Sequence, residues 1–316
     1  MNSSFVTKFN LMKRFLLLTV LSLFFEYCSC QAMRGALISG TCKSGSMDSF
    51  EIKKQGVRSL LNYDPDHTVN LGKAKAFKIK LDLTSPSFFT IGDLFIGHTI
   101  FIEPNDTIRI TLRPIKDFQK RSGAGEFLTK AYTLTTTSKF YGNIIYFDEL
   151  EKRIGPTIKY KFEPPEVYKK KCDDAYKLAL KLLDTYKKNR AISDNFYKYA
   201  LEDIKARYIL WFSEMLIQKD RRKMDPALFK EIEKMTFNDS TMFFSSDSYY
   251  TAPAVFNYYI SNYFNPKNYY QNLDKEFASI IENYTGVIKD RVLGWQIEDY
   301  IGKDHPSFDS CYNVFL

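Results

Sequence analysis

The amino-acid sequence predicts an α+β protein: an N-terminal antiparallel β-sandwich over residues 31–115, a linker at 116–125, and an irregular all-α helical bundle over 126–316. Three observations predict it. From residue 35 to residue 115, short runs rich in β-branched and aromatic residues are broken by turn residues at roughly 8–12-residue spacing. At 113–125 the composition shifts to Arg, Lys, Gln, Ser and Gly. From Glu126 onward apolar residues recur at helical spacing.

The strands are ALISGTC (36–42), DSFEIKK (48–54), HTVNL (67–71), AFKIKLDL (76–83), SFFTIGD (87–93), LFIGHTIFI (94–102) and DTIRITL (106–112). In the fourth run apolar and polar residues alternate, as in a strand with one solvated face. The last two runs meet at Pro104-Asn105-Asp106. Proline presets φ for a turn, asparagine tolerates the left-handed region, and the aspartate can accept backbone N–H groups. Asp106 therefore reads as a turn residue and not as a catalyst.

In the helical part, 164–190 opens on Pro164 and Pro165 and places Val167, Ala175, Leu178, Leu182 and Leu183 on one stripe. The segment 193–220 has Ser193 as N-cap and a stripe through Phe196, Tyr199, Ile204, Tyr208 and Met215. Asp225 and Pro226 start a helix over 225–235, and three more fit 251–264, 269–283 and 285–302. A further helix begins after Pro306 and is cut short on Phe315-Leu316. No repeat of fixed period is present.

Residues 1–30 read as a signal peptide, with Met12 the expected start. Lys8, Lys13 and Arg14 precede Phe15–Phe25, an apolar run too short for an ordinary transmembrane helix. Cys28 and Cys30 occupy the small-residue positions before a cleavage at Gln31; alternatively Cys30 is lipidated, although Tyr27 suits that processing poorly. Loss of this segment lowers the formal net charge from +8 to +6. The basic residues of the helices are interleaved with acids, which describes a solvated face rather than a nucleic-acid stripe, so nucleic acid is not an expected partner. The membrane is expected to be met only through a lipid on Cys30.

Cys42, Cys172 and Cys311 are scattered through the remaining chain without a CxxC pair, so no disulfide framework is expected. Cys172 lies between lysines and aspartates and reads as an incidental helix thiol. GTCKSGS (40–46) lacks the ending of a phosphate loop and reads as a hairpin turn. His67, His98 and His305 stand apart, with no metal-ligand spacing; His98 reads as a surface or edge residue of a strand. No catalytic, metal or cofactor residue is assigned, and no cofactor is expected. The most unusual segment is the aromatic cluster 242–270. It reads as helical core, or as a ligand surface for a peptide or glycan formed by Tyr249, Tyr250, Tyr258 and Tyr259.

The order of these parts resembles the front of the TlpA/ResA-like thiol:disulfide oxidoreductases of the Bacteroidetes cell envelope. The residues that carry the resemblance are ISGTC, AFKIKLDL, IFIEPNDTIRITL and YTGVIKDRVLGWQIEDYI (284–301). Those proteins carry a signal or lipoprotein peptide, a DUF4369-like β-domain, a helical stretch and then a thioredoxin domain with W-C-x-x-C. Here Asn105 stands where the family has glycine, and the W-C-x-x-C motif is missing. The resemblance implies an exported protein of the periplasm or outer membrane, acting as a non-catalytic binding or accessory module. A thioredoxin-fold protein or a protein substrate would be its partner. The alternatives are a truncated or split oxidoreductase and a glycan- or peptide-binding lipoprotein.

Overall fold

The computed structural model describes residues 35–43, 49–56, 67–71, 73, 75–92, 97–114, 132–154, 163–218, 225–229, 232, 234–263, 277–301 and 309. The signal segment with Cys30, the linker at 116–125, His305 and Cys311 lie outside them. The fold is α+β. Eight strands form two four-stranded sheets, and helices follow. The strands are β1 (Ala36–Cys42), β2 (Ser49–Lys54), β3 (His67–Asn70), β4 (Ala76–Leu81), β5 (Ser87–Gly92), β6 (His98–Ile102), β7 (Thr107–Pro114) and β8 (Tyr132–Thr136). The first sheet has the order β4-β1-β7-β8 and the second the order β3-β2-β5-β6.

The inner faces of the two sheets share one apolar core. Ile38, Ile108 and Ile110 of the first sheet are buried with Ile52, Phe89 and Ile100 of the second. Phe50 and Phe77 meet across the sandwich edge to face, with centroids 4.8 Å apart.

Two features of the sandwich differ from expectation. The sheet is not wholly antiparallel, because β1 pairs in parallel with β7, Leu37 opposite Thr107 and Cys42 opposite Leu112. The chain between them is long enough for a crossover that no hairpin could make. Second, residues 132–136 form strand β8 inside the span expected to be helical. YTLTT is β-branched and alternating; Leu134 points into the core while Thr133 and Thr135 face solvent. Its antiparallel pairing with β7 carries the sandwich past the expected boundary at 115.

The expected corner between β6 and β7 forms as read. Asn105 adopts φ 70°, and the Asp106 carboxylate accepts the Glu103 N–H at 2.8 Å. Burial pushes the Asp106 carboxyl above its ordinary value, while that hydrogen bond opposes the shift.

The helices are α1 (Gly142–Ile154), α2 (Pro165–Lys188), α3 (Asp194–Gln218), α4 (Ser240–Phe243), α5 (Asp247–Tyr263) and α6 (Gly286–Ile301), with further helical residues at 277–283. Ser193 caps α3 as expected, its Oγ accepting the Phe196 N–H at 3.0 Å. Asp225 accepts the Ala227 N–H, yet the turn it starts is a short 3-10 helix, Pro226–Phe229. Helix α5 starts four residues before the expected 251, because Ser246 supplies a cap by accepting the Tyr249 N–H at 3.1 Å.

Candidate functional site at the seam between sandwich and helices

The helices cover the outer face of the second sheet. SFFTIG of β5 is buried on both sides, the pattern of a strand sandwiched between two layers. Phe89 and Ile91 enter the sandwich core, whereas Phe88 faces the helices. Phe88 and Phe101 pack on Phe147 of α1 and on Phe196 and Tyr199 of α3, with ring centroids 5.1–6.3 Å apart. Complete burial of a phenylalanine stabilises by roughly 1.5–3 kcal/mol, so a bare sandwich would leave this face apolar and wet.

Polar bonds tie the same seam. Gln55 Nε2 donates to Thr90 Oγ1 and Thr99 Oγ1 at 3.1 and 3.2 Å. The Gly56 N–H donates to Asp247 Oδ1 at 2.6 Å, and the Phe88 N–H donates to the Ser245 carbonyl at 3.2 Å. Behind Asp247, Ser246 Oγ donates to Asp203 Oδ1 at 2.5 Å, and Arg207 Nε donates to Asp203 Oδ2 at 2.6 Å. The Arg207 guanidinium lies over the Phe147 ring, 4.6 Å from its centroid. Burial would lower the Arg207 pKa, but the Asp203 carboxylate outweighs it and holds the guanidinium charged.

Helix α1 closes the open side between the β6 and β8 edges. His98 lies at the start of β6 in the inward register of Ile100 and Ile102, and its Nδ1 is 2.5 Å from Asp148 Oδ2. The ring is 2% exposed and the carboxylate 8%. The expectation of a surface or edge histidine is therefore corrected: β6 is an edge strand, but α1 covers it. With both side chains buried, the pair braces β6 against α1. The signal available in the sequence was an isolated polar residue opening the apolar run HTIFI.

The described thiols lie in different cores. Cys42 is buried in the sandwich and Cys172 in the helices. Burial pushes both thiols up, Cys172 to about 12, although its hydrogen bond with Tyr168 works the other way. The expected helix thiol Cys172 is thus a buried residue of α2. One residue along α2, Asp173 accepts from Lys169 Nζ and from Tyr208 Oη, bracing α2 on α3.

The expected aromatic ligand surface is corrected for two of its residues. Tyr249 and Tyr250 are 1% and 3% exposed and present no ring to solvent. Tyr249 packs on Phe237 and accepts the Asp239 N–H; Tyr250 packs on Phe243, and the Arg291 guanidinium lies over its ring, 4.9 Å from the centroid. Both tyrosines stand in the first turn of α5, where Phe237, Phe243 and Arg291 enclose them. Tyr258 and Tyr259 lie within α5, and their side chains fall outside the description. Among the described residues no His, Cys, Asp and Glu side chains cluster as metal ligands, and no helix is long and apolar enough to cross a membrane. Compared with protein-family models, curated proteins and solved structures, the chain matches none of them.

Proposed function

We propose that this chain is an exported binding and accessory module of the cell envelope, equivalent to the part of a TlpA/ResA-like thiol:disulfide oxidoreductase that precedes the thioredoxin domain. The observation that carries the reading is the state of the two described thiols. Exchange needs an accessible thiolate with a resolving sulfur close by. Cys42 and Cys172 are sealed in separate cores and held protonated by burial. Neither described thiol is placed for exchange, which fits a module whose partner is a thioredoxin-fold protein or a protein substrate of the envelope. The continuous aromatic seam supports the same reading, since it joins sandwich and helices into a scaffold suited to holding a partner.

Two measurements test it. The native protein is treated with an aromatic disulfide reagent and the labelled peptides are identified by mass spectrometry. Cys42 and Cys172 are expected to label only in denaturant; rapid native labelling of either overturns the non-catalytic reading. The N-terminus of protein recovered from the envelope fraction is expected at Gln31 or at a lipid-bearing Cys30. An intact Met1 or Met12 terminus in the cytoplasm overturns export.

A further inference from the structure

The sandwich has two outer faces, and the helices use one. Among the described residues no helix covers the outer face of the first sheet, and its register sets side chains in rows. Leu37 of β1 stands beside Lys80 of β4 and Thr107 of β7; Ser39 stands between Lys78 and Arg109. Thr41 lies beside Thr111, Thr111 beside Thr135 of β8, and Arg113 beside Thr133. Lys43 follows β1, its N–H bonded to the Leu112 carbonyl, and so falls next to Arg113.

This face carries the cations Lys43, Lys78, Lys80, Arg109 and Arg113, all exposed; the described strands place no carboxylate among them, and Asp82, exposed just past the end of β4, is an acid beside their edge. None of the five forms an ion pair among the described residues. The helices behave differently: Lys169 pairs with Asp173, Lys205 with Glu202 and Arg153 with Glu149. Positive charge thus outnumbers negative charge among the described residues of this face. Like charges on neighbouring strands destabilise a sheet, and an anion laid across them relieves the repulsion.

The rest of the face says which anion. Between and beside the cations stand Ser39, Thr41, Thr107, Thr111, Thr133 and Thr135. A hydroxyl both donates and accepts, which matches the hydroxyls of a sugar. Residues on one face repeat about every 6.8 Å along a strand and about 4.8 Å between strands, so the cations reach along an extended polymer. No aromatic ring stands on these strands' outer positions to stack a nucleic-acid base, and Leu37 and Ala76 offer little to insert among lipid chains.

We infer that the outer face of the β4-β1-β7-β8 sheet binds an acidic polysaccharide, a glycan bearing carboxylate or sulfate groups. The inference deepens the proposed function and rests on its reading of an envelope binding module.

The test measures binding of the purified full chain to immobilised heparin and polygalacturonate at about 150 mM salt, where surface charges are screened beyond roughly 8 Å. Dextran, phosphatidylglycerol vesicles and a short DNA duplex are the comparison probes. The variant K78E/R109E/R113E is set against K177E/K181E/K188E, an equal charge change on the exposed face of α2. The sheet variant is expected to weaken heparin or polygalacturonate binding at least about tenfold, and the helix variant less than about twofold. K78Q/R109Q/R113Q gives the same reading should charge reversal unfold the sheet, and T111V/T135V is expected to weaken polygalacturonate binding a few-fold. Equal loss in the helix variant, no binding to either polysaccharide, or equally tight binding to vesicles or DNA overturns the inference. Failure of the proposed function is separate: a chain retained in the cytoplasm whose sheet still binds polysaccharide sinks export and leaves the surface standing.

Discussion

His98 Nδ1 lies 2.5 Å from Asp148 Oδ2, joining the edge strand β6 to the helix α1 that covers it. The pair is buried, so removing one partner takes a direct hydrogen bond from a buried polar group. Asp148→Ala is expected to destabilise by about 3–5 kcal/mol, and H98L/D148L to cost less than the single substitutions combined. Urea unfolding of the four proteins of the cycle measures this. A cost below about 1 kcal/mol for Asp148→Ala would remove the pair from the structural account.

Alkaline pH tests the burial of the thiols and tyrosines. The Cys172 pKa in the fold is raised from 9.0 to about 12. The fold therefore favours the protonated thiol. Its contribution is fully present below about pH 9 and is lost as pH rises toward 12. Burial raises Tyr146, Tyr168 and Tyr284 in the same sense from 10.0. Stability is thus expected to fall steadily above about pH 9, and C172A to flatten the first part of the fall. Thermal melts from pH 7 to pH 11 supply the curve; a flat profile for the parent chain contradicts the assignment.

Ser193 and Asn143 bind each other reciprocally where α1 meets the start of α3. The Ser193 N–H donates to Asn143 Oδ1 at 3.1 Å, and Asn143 Nδ2 donates to Ser193 Oγ at 3.3 Å. Ser193→Ala loses the α3 cap and one partner of Asn143, and is expected to cost about 1–2 kcal/mol. Ser193→Thr should restore most of it. Chemical denaturation distinguishes the two, and equal losses would mean that the hydroxyl is not the stabilising group.

Gly56 sits at the seam with φ 99°, and a Cβ there would lie 2.5 Å from the Phe244 carbonyl carbon. Gly56→Ala is strained by its backbone and by that contact, and should cost more than about 1 kcal/mol. The loss is expected to concentrate at the seam. Hydrogen exchange should accelerate at the Gly56 and Phe88 amides before it does in β1 and β7. Uniform acceleration would argue against a local effect.

Much of the fold was legible in local sequence. ALISGTC reads as a strand and is β1 at its predicted limits, because its alternation and β-branched residues describe a half-buried pleat. The double proline before Glu166 announces α2, and Ser193 announces α3, because both signals act within one turn. Strand β8 was not legible, since five residues of YTLTT become a strand only when β7 offers a partner. The inner seam was likewise hidden. For Tyr249 and Tyr250 core was the favoured reading and ligand surface the alternative, and packing against Phe237 and Phe243 makes them core.

The sequence by itself determined the α+β class, the succession of strands and helices, and the turn at Asn105–Asp106, for these depend on near neighbours in the chain. Tertiary structure alone decided the parallel pairing of β1 with β7, the burial of His98 against Asp148, and the gathering of five cations on one sheet face. Each of these is a relation between residues far apart in sequence. The free energy that selects them, from burial of Phe88 and Phe101 to the sealing of β6 by α1, exists only once the layers have met.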